Sequence, residues 1–201
     1  MEYKLFFFLM GCNLPKRHTE QHDVFFGIGQ TVADLVPALT NFWPEAQNLH
    51  IDCWREVTNV NGYPIKVVPK NDVVKTTNDL LLFFINLGGY RKHEFEEFHF
   101  KELFVARNQA EAIKLSKKTP FYLQYGFKDA VSHIDNKYGV DVDEIHPIEE
   151  ILTVADKNNY QISVSNEITN QLDQIHLGYI PLAKLSARSL SKSLLTSFVK
   201  I

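Results

Sequence analysis

Leu5-Phe6-Phe7-Phe8-Leu9-Met10-Gly11 and Leu82-Phe83-Phe84-Ile85-Asn86-Leu87-Gly88 are one stretch written twice, 77 positions apart. Self-similarity at this scale decides architecture before any local pattern does. Working outward at the same shift, Glu20 falls on Glu97, His22 on His99, Ala33 on Ala110 and Asp34 on Glu111. The second copy then carries six extra residues, so His50-Ile51-Asp52 returns as His133-Ile134-Asp135 at a shift of 83. The next connection is six residues shorter, and Gly62 meets Gly139 at 77 again. The repeat thus runs from Leu5–Val68 to Leu82–Ile145.

Tyr3 to Met10 is short, aromatic and apolar, as in a strand covered on both faces. His22 to Gly29 is a second strand, rich in Val, Phe and Ile. Thr31 is an N-cap, with Asp34 three residues on as a capping-box partner. Val32, Leu35, Val36 and Leu39 follow at helical spacing, and Pro37 predicts a short or kinked helix. Leu49 to Thr58 is a third strand. Asn61-Gly62 suits a tight hairpin into a fourth, Tyr63 to Val68. The second copy repeats the order: strands Leu80 to Leu87 and Phe98 to Ala106, a helix capped by Asn108, an aromatic plug or extra turn over Phe121 to Phe127, then strands at His133 to Asn136 and Val142 to Ile148.

These readings predict an α+β fold, an internal duplication of a ββαββ unit. Each unit is too small to bury much apolar surface alone, so the two should pack as one pseudo-twofold body. The expected boundaries are 1–70 for the first repeat, 78–150 for the second and 151–201 for a C-terminal β extension. That extension holds strands at Tyr160 to Ser165 and Ile175 to Leu182 that extend a sheet or cover its edge. Its basic tail, from Ala183, reads as a short amphipathic helix or a frayed end.

The chain of 201 residues has a formal net charge of −3, which gives no electrostatic case for nucleic acid. No apolar run is long enough for a membrane-spanning helix. Two cysteines, Cys12 and Cys53, make no disulfide framework and read as reduced thiols of a cytoplasmic protein. Leu9-Met10-Gly11-Cys12 resembles a lipoprotein processing box. The recurrence of the same run and glycine at Phe83 to Gly88 argues against that reading.

Two polar pairs occur in both copies: Glu20/His22 with Glu97/His99, and His50/Asp52 with His133/Asp135. Residues two apart on a strand share a face. If the strands are neighbours, each copy gathers two imidazoles and two carboxylates, a donor set for a divalent metal. In that case His22, His50, His99 and His133 are ligands, and Glu20, Asp52, Glu97 or Asp135 serve as ligand or general base of a metal-assisted hydrolase. The other reading is a doubled hydrogen-bond scaffold in a non-enzymatic binding or assembly module, which would hold no metal and would present a cleft of aromatics and basic loops to a small ligand or a protein. Arg17 and His18, matched by Arg91 and Lys92, are candidates for holding an anion. Self-association stays open.

The stretches Glu20 to Gly27, His50 to Val57, Asn86 to Tyr90, Phe95 to His99, Ser132 to Asp135 and Lys137 to Asp141 resemble one uncharacterised bacterial family, number 1543 among domains of unknown function. His176-Leu177-Gly178-Tyr179-Ile180-Pro181-Leu182 is similar to a segment of its longer members. The resemblance covers about residues 3 to 150. It implies a soluble bacterial α+β protein and assigns no activity, cofactor or catalytic residue.

Overall fold

The computed structural model describes residues 2–71, 79–126, 132–134, 144–185 and 199–200. It is a mixed α+β structure of three antiparallel sheets. The first half opens with a hairpin of β1 (Lys4–Asn13) and β2 (Gln21–Gly29), and β3 (Gln47–Glu56) pairs with the other side of β1. Between β2 and β3 lie a 3-10 turn, Val32–Leu35, and α1 (Val36–Phe42). Asp34 reaches back to accept the Thr31 N–H at 2.8 Å. Pro37 sits in the first turn of α1, where a missing N–H costs nothing, so it starts the helix and does not kink it.

The second half opens in the same way. The hairpin of β6 (Leu81–Tyr90) and β7 (Glu97–Ala106) is followed by α2 (Gln109–Ser116), whose N-cap Asn108 accepts from Glu111 N–H. The two hairpins share one register: Lys4 pairs with Gly29 and Gly11 with His22, while Leu81 pairs with Ala106 and Gly88 with His99. The third strands agree too. Gly11 pairs with His50 in β3, and Gly88 with His133 in the short β8 (His133–Ile134).

Alternation along β1 and β6 builds the layers. Phe6, Phe8 and Met10 pack outward against Val32, Leu35 and Leu39. Phe83, Ile85 and Leu87 pack outward against Ala112 of α2 and Phe121 of α3 (Pro120–Gln124). Leu5, Phe26 and Ile28 face inward onto Leu82, Phe84, Leu103 and Val105 in a core shared by the two halves. Phe7 and Phe84, one position in the repeat, meet edge to face with centroids 5.9 Å apart.

Two expectations need correction. The fourth strand of the first half does not complete a four-stranded sheet with the other three. Asn61 (φ +54) and Gly62 (φ +88) fold β5 (Tyr63–Pro69) onto β4 (Asn59–Val60), and β10 (Tyr160–Val164) takes the other side of β5. The free edge of β3 goes to β11 (His176–Pro181), which in turn pairs with β12 (Val199–Lys200). In the second half, β9 (Ile145–Pro147) lies against Phe83 to Ile85 of β6. Glu56 to Trp54 hold that place against Phe6 to Phe8, so Ile145 takes the position of Trp54 and not of Val68. Over the Phe121 region the aromatic plug or extra turn takes the form of the short helix α3, capped by Thr119, with Phe121 stacked on Phe100 and Tyr125. Between these strands run α4 (Ile148–Ile151), whose Ile148 enters the shared core, and α5 (Val154–Asn159). The basic tail begins with a 3-10 turn, Leu182–Leu185, buried at both ends. Its residues 186–198 lie outside the described residues.

Candidate functional site

The inward face of the first sheet ends in a polar cluster. Gly11 pairs with both His22 and His50, so the two imidazoles stand on either side of a residue with no side chain. Asp52 joins them through a bulge: β1 advances from Leu9 to Met10 while β3 steps from Cys53 to Ile51. Bulges re-aim a side chain beside functional sites. Strict alternation would put Asp52 opposite the wrong neighbours. Glu20, just before β2, closes the group.

Each carboxylate spans the two imidazoles. Asp52 Oδ2 lies 3.2 Å from His22 Nε2, and Asp52 Oδ1 lies 3.4 Å from His50 Nε2. Glu20 Oε2 lies 3.4 Å from His22 Nε2, and Glu20 Oε1 lies 3.3 Å from His50 Nε2. His50 is fully buried, whereas the Glu20 and His22 side chains are 41% and 40% exposed and are free to turn. His50 Nδ1–H donates to the Asn48 carbonyl at 2.8 Å, which fixes its tautomer and leaves Nε2 facing the carboxylates. Nε2 of His50 and Oδ2 of Asp52 are buried without a hydrogen-bond partner. The Tyr179 ring covers His50, with centroids 4.1 Å apart. A Cβ on Gly11 would overlap His50 Nε2 and stand 2.7 Å from Asp52 Oδ2, so glycine is required by close approach. Burial, reinforced by the Asp52 charge, pushes the neighbouring Cys53 thiol above its usual range.

Among the described residues, no group of three or more His, Cys, Asp and Glu side chains is placed so that it could hold a metal ion. The cluster is an open ring.

The matching residues of the second half are arranged differently. Tyr90 donates its hydroxyl to Glu97. The repeat matches Asn13 with Tyr90, so the first half has no hydroxyl at that position. His133 is placed by its strand pairing with Gly88, and Asp135 lies outside the described residues. His99 lines a cleft of about 490 Å³ between the halves, together with Leu9, His22, Asp23, Val24, Phe84, Asn86, Lys101 and Glu144. The loop candidates divide as well. Arg17 and His18 are exposed, and so is Lys92. Arg91 lies over the Tyr125 ring at 4.3 Å and also pairs with Glu94 at 3.8 Å.

Sequence reasoning missed Gly11 as the floor of the cluster, although its recurrence as Gly88 inside a strand is the signal of close approach. It also missed Asn48 and Tyr179. Asp173 was invisible in the sequence: its carboxylate accepts Thr58 N–H at 3.0 Å, Thr58 Oγ1–H at 2.6 Å and Asn59 N–H at 3.1 Å, and it anchors the segment that leads into β11.

The fold and the cluster define an α+β protein with a polar site at the open end of a sheet pair. The family described as Domain of Unknown Function (DUF1543) matches residues 17–67, from the β1–β2 turn to near the end of β5. The fold is similar to that in the "Crystal structure of a protein Il1583 from Idiomarina loihiensis", at 20% identity and a TM-score of 0.56, covering 90% of this chain and 98% of that one. No curated protein matches the chain. No helix among the described residues is long and apolar enough to cross a membrane.

Proposed function

We propose that this chain is a binding module built from two copies of one unit about a pseudo-twofold axis, and that the first copy holds a divalent cation between Glu20, His22, His50 and Asp52. The observation that carries this reading is the buried Nε2 of His50. Its Nδ1–H is committed to a carbonyl, and Nε2 faces two acceptor-only carboxylates with no hydrogen bond of its own. A lone pair set between carboxylates is unfavourable unless a positive species sits with it. A divalent cation supplies that charge. An imidazole fixed through its other nitrogen is the usual support of a metal ligand.

The nitrogen–oxygen gaps of 3.2–3.4 Å are close to the roughly 3.4 Å that separates ligands about 2.1 Å from a tetrahedral Zn²⁺, but each carboxylate meets the two imidazoles through different oxygens, so the side chains must move to share one ion. Rotation of the half-exposed Glu20 and His22 closes the ring on the fixed pair His50 and Asp52. The claim is binding and not hydrolysis: all four side chains are used to hold the ion, and neither the matched family nor the solved neighbour carries an activity in its description. The duplicated reading is supported by the common hairpin register and by the equivalence of Phe7 and Phe84 in the shared core. A cytoplasmic location fits two cysteines that form no disulfide.

The alternative positive species is a proton on each imidazole, which would make the ring a structural ion-pair network. Elemental mass spectrometry of untagged protein, after incubation with Zn²⁺ and desalting, separates the two. Near-stoichiometric metal in the wild type, lost in His50→Ala, is expected. A folded wild type that retains no metal assigns the ring to protons and ends the cation reading.

A further inference from the structure

The two hairpin turns rise from the same end of the molecule, because His22 and His99, which each follow one of them, line a single cleft. They share one geometry. Arg17 N–H donates to the Leu14 carbonyl at 3.3 Å, and at the equivalent positions Glu94 N–H donates to the Arg91 carbonyl at 3.3 Å. Lys16 (φ +65) and His93 (φ +70), again one position of the repeat, both take the left-handed conformation that few residues with a side chain adopt. The turns differ in charge. Residues 16–19 are Lys16-Arg17-His18-Thr19, with two positive charges and no carboxylate. Their equivalents, 93–96, are His93-Glu94-Phe95-Glu96, with two negative charges and no Lys or Arg. All eight residues are exposed, and the Phe95 ring stands entirely in solvent.

We infer that a second molecule of this chain docks end to end on these turns, the basic turn of each molecule against the acidic turn of the other. The arrangement rests on the duplicated reading and not on the cation. With a pseudo-twofold axis running between the turns, a true twofold perpendicular to it brings equivalent residues face to face. Arg17 then meets Glu94 and His18 meets Phe95, each contact being made twice. The other perpendicular twofold sets Lys16 and Arg17 against themselves, and like charges face to face disfavour it. Arg91 and Lys92 do not spoil the match, since they stand opposite Leu14 and Pro15. Arg91 lies over the Tyr125 ring and pairs with Glu94 at 3.8 Å. Both members of that pair are half exposed, and an exposed pair is worth little, so Glu94 is able to exchange Arg91 for the Arg17 of a second molecule. The contact also covers Phe95, an apolar side chain that one molecule alone leaves bare. Two short turns a side fall below the roughly 20–30 residues of a standard interface, so the dimer is weak, and its charge pairs make it sensitive to salt.

The test is sedimentation equilibrium of the full chain at about 0.1 mM, with a chelator present so that no bridging ion contributes, in roughly 0.01 M and 1 M salt. Arg17→Glu, Glu94→Arg and the double variant Arg17→Glu/Glu94→Arg are run beside the wild type, each checked for an unchanged unfolding transition by circular dichroism. The expected result is a wild-type dimer in low salt that dissociates in high salt. Each single variant should weaken it by about tenfold or more, and the double variant, which only exchanges the two charges, should restore it to within about threefold. A wild type that stays monomeric in low salt overturns the proposal and leaves the turns to a partner of another kind. A dimer that the single variants do not weaken, or that the double variant fails to restore, overturns it too, because the contact then lies elsewhere.

Discussion

The two hairpins of this protein pair residue for residue in one register, yet their open ends do different things. In the first half Glu20 turns to two imidazoles above a glycine. In the second half the equivalent Glu97 accepts from Tyr90, and α3 brings Tyr125 onto the strand end: its carbonyl accepts Tyr90 N–H at 3.3 Å and the Ser132 hydroxyl. The difference shows what the shared core leaves free. Inward apolar positions are constrained in both halves because each is the other's core. The strand ends are not, and there one half retained an open polar ring while the other closed on itself.

The largest effect should come from breaking what the halves share. Phe84→Ala removes a ring packed against Phe7 and Phe26 at 4% exposure and should cost about 3–5 kcal/mol in chemical denaturation. Phe7→Ala should fall in the same range if the shared core is symmetric in energy as it is in position. A cost under about 1 kcal/mol for either would mean that the halves fold without each other.

Two glycine substitutions sharpen the contrast. Gly89→Ala puts a Cβ 2.5 Å from the Tyr125 carbonyl oxygen, backbone that cannot turn aside, and should destabilise by about 1–3 kcal/mol with no change in cation affinity. Gly11→Ala meets side chains, not backbone. It should cost less stability but lower Zn²⁺ affinity on the order of a hundredfold by displacing His50, as loss of a supporting contact does in metal sites. Parallel denaturation and Zn²⁺ titration of the two variants check the exchange. If both variants lose stability and neither loses affinity, Gly11 has no role at a cation.

The smallest effect is on a rate. The Cys53 thiol is held up by burial and by Asp52, so its thiolate fraction at neutral pH is lower than that of a free thiol. In a Cys12→Ala background the pH–rate profile of alkylation should rise later than for a model thiol. Asp52→Asn removes a negative charge that opposes the thiolate and should move the profile to lower pH. An unmoved profile would place the Asp52 charge away from Cys53.

Much of this was legible in the sequence, because the repeat is a statement about packing. A run such as Leu5 to Leu9 written twice predicts two equivalent strands, and the Glu-x-His and His-x-Asp pairs predict four side chains on one face, which the first half brings together. What the sequence could not give depended on contacts distant along the chain. The fourth strand, β5, leaves its sheet because β10, some ninety positions later, offers an edge, and β11 fills the place beside β3. The bulge that turns His50 and Asp52 together away from the face of Trp54 is one that no periodicity signals. Tyr179 covers His50 only because β11 carries an irregularity opposite that same bulge. The diversion of Glu97 rests on a tyrosine seven residues away where the first half has asparagine, a difference readable only after the geometry is known.

The central claim is that a chain with two copies holds one cation. Isothermal titration of untagged, metal-free full-length protein with Zn²⁺ tests it most directly, with His50→Ala and His99→Ala beside the wild type. The account predicts one ion per chain, lost in His50→Ala and kept in His99→Ala. Binding of two equivalent ions, or of none by folded wild-type protein, would contradict it.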